Sequence, residues 1–194
     1  MPDNTVFASP LIAEAPDGPA SAEGPQLRLV ERRDVGMVLI RGKRENPAFV
    51  SYFESVLGVS PPGERLSVEA QAFSIVRMGR TDYLISGEIK AIEDFARQAE
   101  AAAEGAPCIA AEITHGRIVI DMKGPGAVTV LAKSCGLDLR PSAFPVGLGT
   151  RTRFADTLAY VERRAADSFR LVSDRATGAF FWAWLKDAGS EFLT

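Results

Sequence analysis

Four groups of residues in this 194-residue chain have the types that chemistry uses. One is the single histidine, His115, whose imidazole has the type of a general base, although its place in a Thr114-His115-Gly116 turn between two strands favours a structural or solvent-facing role. Another is the pair Cys108 and Cys135, which with His115 and a carboxylate would make a zinc set. No CxxC or HxxxH pair supports that set. Read as a nucleophile, Cys135 would sit at the C-terminal end of a helix, where the dipole disfavours a thiolate, so a small core residue is the better reading. The last two groups are glycine turns, Gly124-Pro125-Gly126 and Gly147-Leu148-Gly149. A dinucleotide loop needs GxGxxG directly after a strand, inside a βαβ unit. The first turn has the wrong third element and the second lies before a strand. The residues themselves therefore assign this chain no catalytic, cofactor-binding or metal-binding position.

Composition sets the outer bounds. The net charge is −3, and the short basic clusters Arg32-Arg33, Lys43-Arg44 and Arg163-Arg164 have acidic neighbours, so neither nucleic acid nor an anionic membrane surface is expected as a partner. With 46% hydrophobic residues, the chain can fill a core of one sizeable domain. Two cysteines fit a reducing cytoplasm better than a disulfide framework. The N-terminal stretch has no basic region followed by an apolar core, so a secretory signal is not expected, and no run approaches the roughly 20 apolar residues of a membrane span.

Residues 1–26 carry five prolines among Ala, Ser, Gly and acidic residues, a composition read as a disordered tail with one apolar island, Val6 to Ile12. Periodic structure is expected from Leu27 onward. Leu27 to Glu31 and Val35 to Gly42 read as strands; Asn46 as N-cap and Pro47 as N1 open a helix with Phe49, Phe53, Val56 and Leu57 inward, closed by Gly58. Ala72 to Met78 and Tyr83 to Ser86 form a hairpin, and a helix using Ile89, Ile92, Ala96, Ala99 and Ala103 follows it. Ile109 to Thr114 and Arg117 to Met122 are strands, the latter with Ile118, Ile120 and Met122 on one face and Val119 on the other. A third helix starts at Pro125, buries Val128, Leu131, Ala132 and Cys135, and is expected to end in a left-handed cap at Gly136. Three more strands, Thr150 to Phe154, Thr157 to Arg163 and Phe169 to Ser173, lead to a final helix capped by Ser173 or Asp174. Phe181, Trp184, Leu185 and Ala188 form one face of that helix, and Phe180 and Trp182 project elsewhere, either toward a partner or into the packing of two halves.

The order strand, helix, hairpin, helix occurs twice, with Gly36 and Gly116 in corresponding places. That order packs most simply as antiparallel sheets with helices on one face. The expected fold is thus α+β, two related ferredoxin-like halves over about residues 27–114 and 115–194, together one domain, 27–194.

Several segments carry a resemblance. His115-Gly116-Arg117, the run from Leu131 to Phe144 (LAKSCGLDLRPSAF), the Gly147 turn, Phe181-Trp182-Ala183-Trp184-Leu185-Lys186-Asp187-Ala188, Leu29 to Gly36 and Met78 to Leu84 resemble the gamma subunit of heterotetrameric sarcosine oxidase, over roughly residues 27–190. The resemblance implies an aminomethyltransferase-like (folate-binding domain) fold and a place in a cytoplasmic complex with alpha, beta and delta subunits. That complex, an oxidoreductase, demethylates sarcosine to glycine oxidatively and passes the one-carbon unit to tetrahydrofolate. It also implies that FAD, FMN, NAD, zinc and tetrahydrofolate belong to the partner subunits, with no cofactor and no catalytic residue in this chain. Two alternatives stay open at this point: a gamma-like subunit of N-methylglutamate dehydrogenase, and a free-standing folate-binding protein of the aminomethyltransferase kind.

Overall fold

The computed structural model describes residues 8–63 and 65–194. In chain order, β1 (Ser21–Glu23) and β2 (Arg28–Glu31) precede the first half, which comprises β3 (Val35–Gly42), α1 (Pro47–Leu57), β4 (Val68–Ala70), β5 (Phe73–Arg77), β6 (Asp82–Glu88), α2 (Ile89–Ala102) and β7 (Cys108–Glu112). The second half comprises β8 (Arg117–Lys123), α3 (Ala127–Ser134), β9 (Gly149–Phe154), β10 (Thr157–Ala165), β11 (Ser168–Asp174), α4 (Gly178–Ala188) and α5 (Ser190–Leu193). A 3-10 turn, Thr114–Gly116, joins the halves; its Thr114 hydroxyl accepts from the Met37 amide at 2.9 Å and so ties the junction to β3.

Strand pairing gives two antiparallel sheets among the described residues, ordered β4-β5-β6-β3-β7 and β1-β2-β8-β11-β10-β9. Alternation along each strand sends one set of side chains to the helices and the other to the opposite sheet. On the outer face of the first sheet, Val38, Ile40, Tyr83 and Ile85 meet Phe49, Phe53, Ile92 and Phe95 of α1 and α2. The outer face of the second supplies Ile118, Ile120, Met122, Val161, Phe169 and Leu171, which meet Val130, Leu131, Phe181 and Leu185 of α3 and α4. The inner faces meet each other through Met37, Val76, Leu84, Val119, Tyr160 and Val172. The layers thus run helix, sheet, sheet, helix. At one edge the sheets are also stitched by backbone: the Ser67 amide donates to the Gly147 carbonyl at 2.7 Å and the Gly149 amide to the Arg65 carbonyl at 3.0 Å, flanking a bridge between Leu66 and Leu148.

Local chemistry explains the helix α1 as expected: Asn46 accepts from the Ala48 amide, Pro47 occupies the first turn, and Gly58 closes it at φ 71°. Elsewhere the expectations need correction. Residues 8–26 are ordered, not a disordered tail; Val6 and Phe7 of the apolar island lie outside the described residues. Leu11 and Ala20 are buried in the second half's core, β1 pairs with β2, and Glu31 accepts from the Ser9 hydroxyl and from the Ala20 amide at 3.0 Å. Pro10 lies against Gly178 and Glu14 pairs with Lys186 at 2.6 Å, so this segment straps α4 and helps to bury Trp182. A few well-placed apolar residues outweigh the average composition.

The boundary between halves is also crossed. Strand β2 pairs with β8, so Leu27 to Glu31 belongs to the second sheet and not to the first half. In α3, Ala127, Val130, Leu131 and Ser134 are the buried positions; of the expected stripe Leu131 is buried, Val128 and Cys135 pack against the core part-exposed, and Ala132 faces solvent, because the helix begins two residues after Pro125. Its C-cap is Cys135 in extended backbone, and Gly136 is not left-handed. The last helix starts after a 3-10 turn at Arg175–Thr177, with no side-chain cap from Ser173 or Asp174.

Candidate functional site

The face where the two sheets meet is built from directly opposed pairs. On the first sheet β3 and β6 place Met37 opposite Ser86, Leu39 opposite Leu84 and Arg41 opposite Asp82. On the second, β8 and β11 place Arg117 opposite Asp174, Val119 opposite Val172 and Asp121 opposite Arg170. Both ladders have an apolar middle, and an ion pair with its sign reversed stands 121 − 41 = 80 residues later in the chain. Packed face to face, they make a seam with a dry centre and charged ends.

At one end the charges close into a network in which each arginine meets a carboxylate. Arg170 holds Asp121 in a bidentate pair, Nε to Oδ1 at 2.7 Å and Nη2 to Oδ2 at 2.8 Å, and Arg32 donates to Oδ2 at 2.6 Å. Arg32 in turn grips Asp34 through two hydrogen bonds of 2.8 and 2.6 Å. Burial pushes the Asp121 carboxyl up, but the two guanidinium groups outweigh it and hold it below the usual carboxylate range. Glu162, opposite Arg170 on β10, goes the other way: burial dominates and pushes its carboxyl up despite an ion pair to Arg164 at 3.1 Å. Beside it the Tyr160 hydroxyl is buried without a hydrogen-bond partner among the described residues, and burial pushes the phenol up. Its ring lies where any Cβ at residue 149 would clash, which is the reason for Gly149.

The other end is open. A cleft of about 130 Å³ is floored by Leu39, Leu84 and Val172 and rimmed by Arg41, Arg117 and Arg151. Arg41 pairs with Asp82 at 2.7 Å, and Arg117 pairs with Asp174. Burial, joined by the charge of Arg151, pulls the Arg117 pKa down. Leu158 at the lip is 57% exposed, and Ile109, on the same face as Arg41 in the neighbouring strand, is 62% exposed.

His115 lies on the surface turn between the halves, just past the end of β7 opposite to Cys108, beside the groove that Ser9, Pro10 and Arg175 also line. Both thiols are free, and burial pushes each up, which disfavours a thiolate nucleophile. No group of three or more His, Cys, Asp or Glu that would hold a metal occurs among the described residues. In the glycine turns, the amides are already spent on carbonyls: Gly124 on Asp167, Gly126 on Gln26, Gly147 on Arg163, Leu148 on Pro145 and Gly149 on Arg65. An anion nest needs free amides, so these turns serve packing.

The sequence reading missed Arg163. It sits on the outer, core-facing side of β10 with Ala159 and Val161, and donates to the carbonyls of Leu139, Phe144 and Ala166 while its guanidinium lies 5.2 Å from the Phe169 ring. The whole loop after α3 hangs on it. Strand parity was the available signal: residues 159, 161 and 163 share a face. Also unread was the reach of the Trp184 indole to Ser134 at 3.1 Å, which joins α4 to α3.

Two helix-backed, related α+β halves packed sheet to sheet define the class as an aminomethyltransferase-like fold. The glycine cleavage system aminomethyltransferase T from Bartonella henselae superposes with a TM-score of 0.65 at 15% identity, covering 84% of this chain and 46% of that one. The heterotetrameric sarcosine oxidase from Corynebacterium sp. U-96, in complex with pyrrole 2-carboxylate, matches with a TM-score of 0.83 at 23% identity over 96% of both chains. Among proteins compared by sequence, sarcosine oxidase subunit gamma from Corynebacterium sp. (strain P-1) is 27% identical over 203 residues, covering 100% of this chain and 98% of the relative. The subunit from Arthrobacter sp is 26% identical over 202 residues with the same coverage. The model of the sarcosine oxidase, gamma subunit family matches residues 41–191, and the chain belongs to that family.

Proposed function

We propose that this chain is the gamma subunit of a heterotetrameric sarcosine oxidase of the cytoplasm and that it holds neighbouring subunits in place without performing a chemical step. Its partners are the alpha, beta and delta subunits. They carry FAD, FMN, NAD and zinc, and the assembly demethylates sarcosine to glycine oxidatively with tetrahydrofolate as the one-carbon acceptor. The family match over residues 41–191 carries this reading. The chemistry of the chain's own side chains supports it, since the thiols are biased toward the protonated form and the glycine-turn amides are occupied.

The test is co-expression of this chain with the other three subunits, followed by purification on a tag carried by this chain and an absorbance scan. The expected outcome is a colourless chain alone and a yellow flavin-bearing complex with its partners. Sarcosine oxidation by the isolated chain would overturn the reading. A second reading, a free-standing folate-binding protein, is favoured by the fold likeness to aminomethyltransferase T. Tight, saturable binding of tetrahydrofolate to the isolated chain would establish it, and an unresponsive titration would discard it.

A further inference from the structure

We propose that the open mouth of the seam between the sheets docks a segment of a partner subunit that presents a carboxylate next to apolar side chains. The inference rests on the reading of the chain as a subunit and names the surface through which it serves as one. Three observations carry it.

The first is uncovered apolar surface. Ile109 of β7, paired with Arg41 on the inner face, stands 62% exposed, and Leu158 stands 57% exposed at the lip of the cleft. Inner-face positions are where sheets are normally covered, and large apolar side chains left open there mark contact surfaces.

The second is charge. Arg41 and Arg117 each have a carboxylate, Asp82 and Asp174, whereas Arg151 pairs with none among the described residues, leaving the rim with a surplus of one positive charge. That surplus is felt inside the site, for burial and the Arg151 charge together disfavour the charge on Arg117. An incoming carboxylate would offset the surplus and with it the repulsion between Arg151 and Arg117, and a guanidinium binds it in a fork.

The third is shape. About 130 Å³ accommodates one acidic side chain and its stem, while the exposed Leu158 at the lip and Ile109 beyond it continue the apolar path outward. A small carboxylate would fill the cleft and leave those side chains wet; a polypeptide segment covers both. Strand addition to the edge of β7 is disfavoured, since two of its three outward amides, those of Cys108 and Glu112, already donate to Ala106 and to Glu100, leaving only that of Ala110. The contact is therefore through side chains.

The experiment is co-purification of the full-length chain with its co-expressed partner subunits, for wild type, Arg151→Gln, Arg151→Glu, Leu158→Asp and, as a control on the solvent side of α4 behind the second sheet, Asp187→Lys. Melting of each isolated chain reports folding. The expected result is at least about a tenfold loss of recovered partner for Arg151→Glu and for Leu158→Asp, and a smaller, salt-sensitive loss for Arg151→Gln. Melting temperatures should stay within about 2 °C of wild type, and the control should assemble normally. Wild-type recovery with both Arg151→Glu and Leu158→Asp would overturn the docking surface while leaving the subunit reading standing. A wild-type chain that recovers no partner would overturn the subunit reading, and the docking surface with it. Saturable binding of benzoate by the isolated chain, abolished by Arg151→Glu without effect on assembly, would identify a small-molecule pocket and likewise overturn it.

Discussion

The two ends of the seam are made of the same parts and behave differently. At the closed end Asp121 is shared by Arg170 and Arg32, and Asp34 and Glu162 balance the remaining guanidinium charge. At the open end two arginine–aspartate pairs are joined by a third arginine, and the apolar lip beside them is wet. What separates them is charge balance: at the first end every guanidinium has a carboxylate, whereas at the second Arg151 has none among the described residues. A covered charge must be satisfied within the chain, since leaving it unpaired costs the whole desolvation penalty. An exposed charge is kept solvent-compatible at little cost to folding and stays available to something else.

The largest effect is expected where the covered network is broken. Asp121→Ala leaves Arg170 and Arg32 facing each other without their shared carboxylate and should destabilise the chain by about 2–3 kcal/mol in urea unfolding. A loss no greater than that of Asp82→Ala would erase the distinction between the ends. Next comes a buried cation, Arg163, that has no carboxylate partner among the described residues. Arg163→Ala removes three carbonyl partners at once and should cost about 2 kcal/mol, with the loop between Leu137 and Gly147 becoming a protease site. Limited proteolysis locates the cut.

The pH dependence separates the two covered carboxylates. Asp121 has a folded pKa below its unfolded value of about 3.9, so its stabilisation is complete above that pH and is lost as pH falls through the folded pKa. Glu162 has a raised folded pKa, so its contribution is present below about pH 4.3 and is lost as pH rises through the folded value. Glu162→Gln should therefore flatten the stability curve above pH 4.3 and leave the acid limb in place, while Asp121→Asn should flatten the acid limb. Stability measured by urea unfolding from pH 3 to pH 8 checks both signs.

Smaller changes belong to the open end. Removing the half-exposed Arg41 from its pair with Asp82 should cost under about 1 kcal/mol, and Arg151→Gln should change stability by no more than about 0.5 kcal/mol. A cost above about 2 kcal/mol for either, read from the same unfolding curves, would mean that the open end is structural after all.

Local chemistry made much of the fold legible. Asn46, Pro47 and Gly58 announce α1 at both ends, and the alternation of Ile118, Ile120 and Met122 against Val119 assigns each side of β8 correctly, since capping and strand parity are decided within a few residues. The strap at residues 8–26 was not legible. Its order depends on a core that lies far along the chain, with Leu11 seated among second-half residues and Pro10 on Gly178. Trp182 followed the same rule: its burial could be read neither as partner surface nor as internal packing until the strap was seen beside it.

From the sequence alone came the repeated strand, helix, hairpin, helix order, the sides of the strands, and the likeness to the gamma subunit family, because periodicity and short motifs are properties of neighbours in the chain. Only the tertiary structure decided that β2 completes the second sheet, that Arg163 supports the loop after α3, and that Arg41, Arg117 and Arg151 gather at one mouth. Those facts depend on which strands pair and which faces meet, and that is settled by burial of apolar surface between segments up to 110 residues apart, the separation 151 − 41 of the outermost arginines.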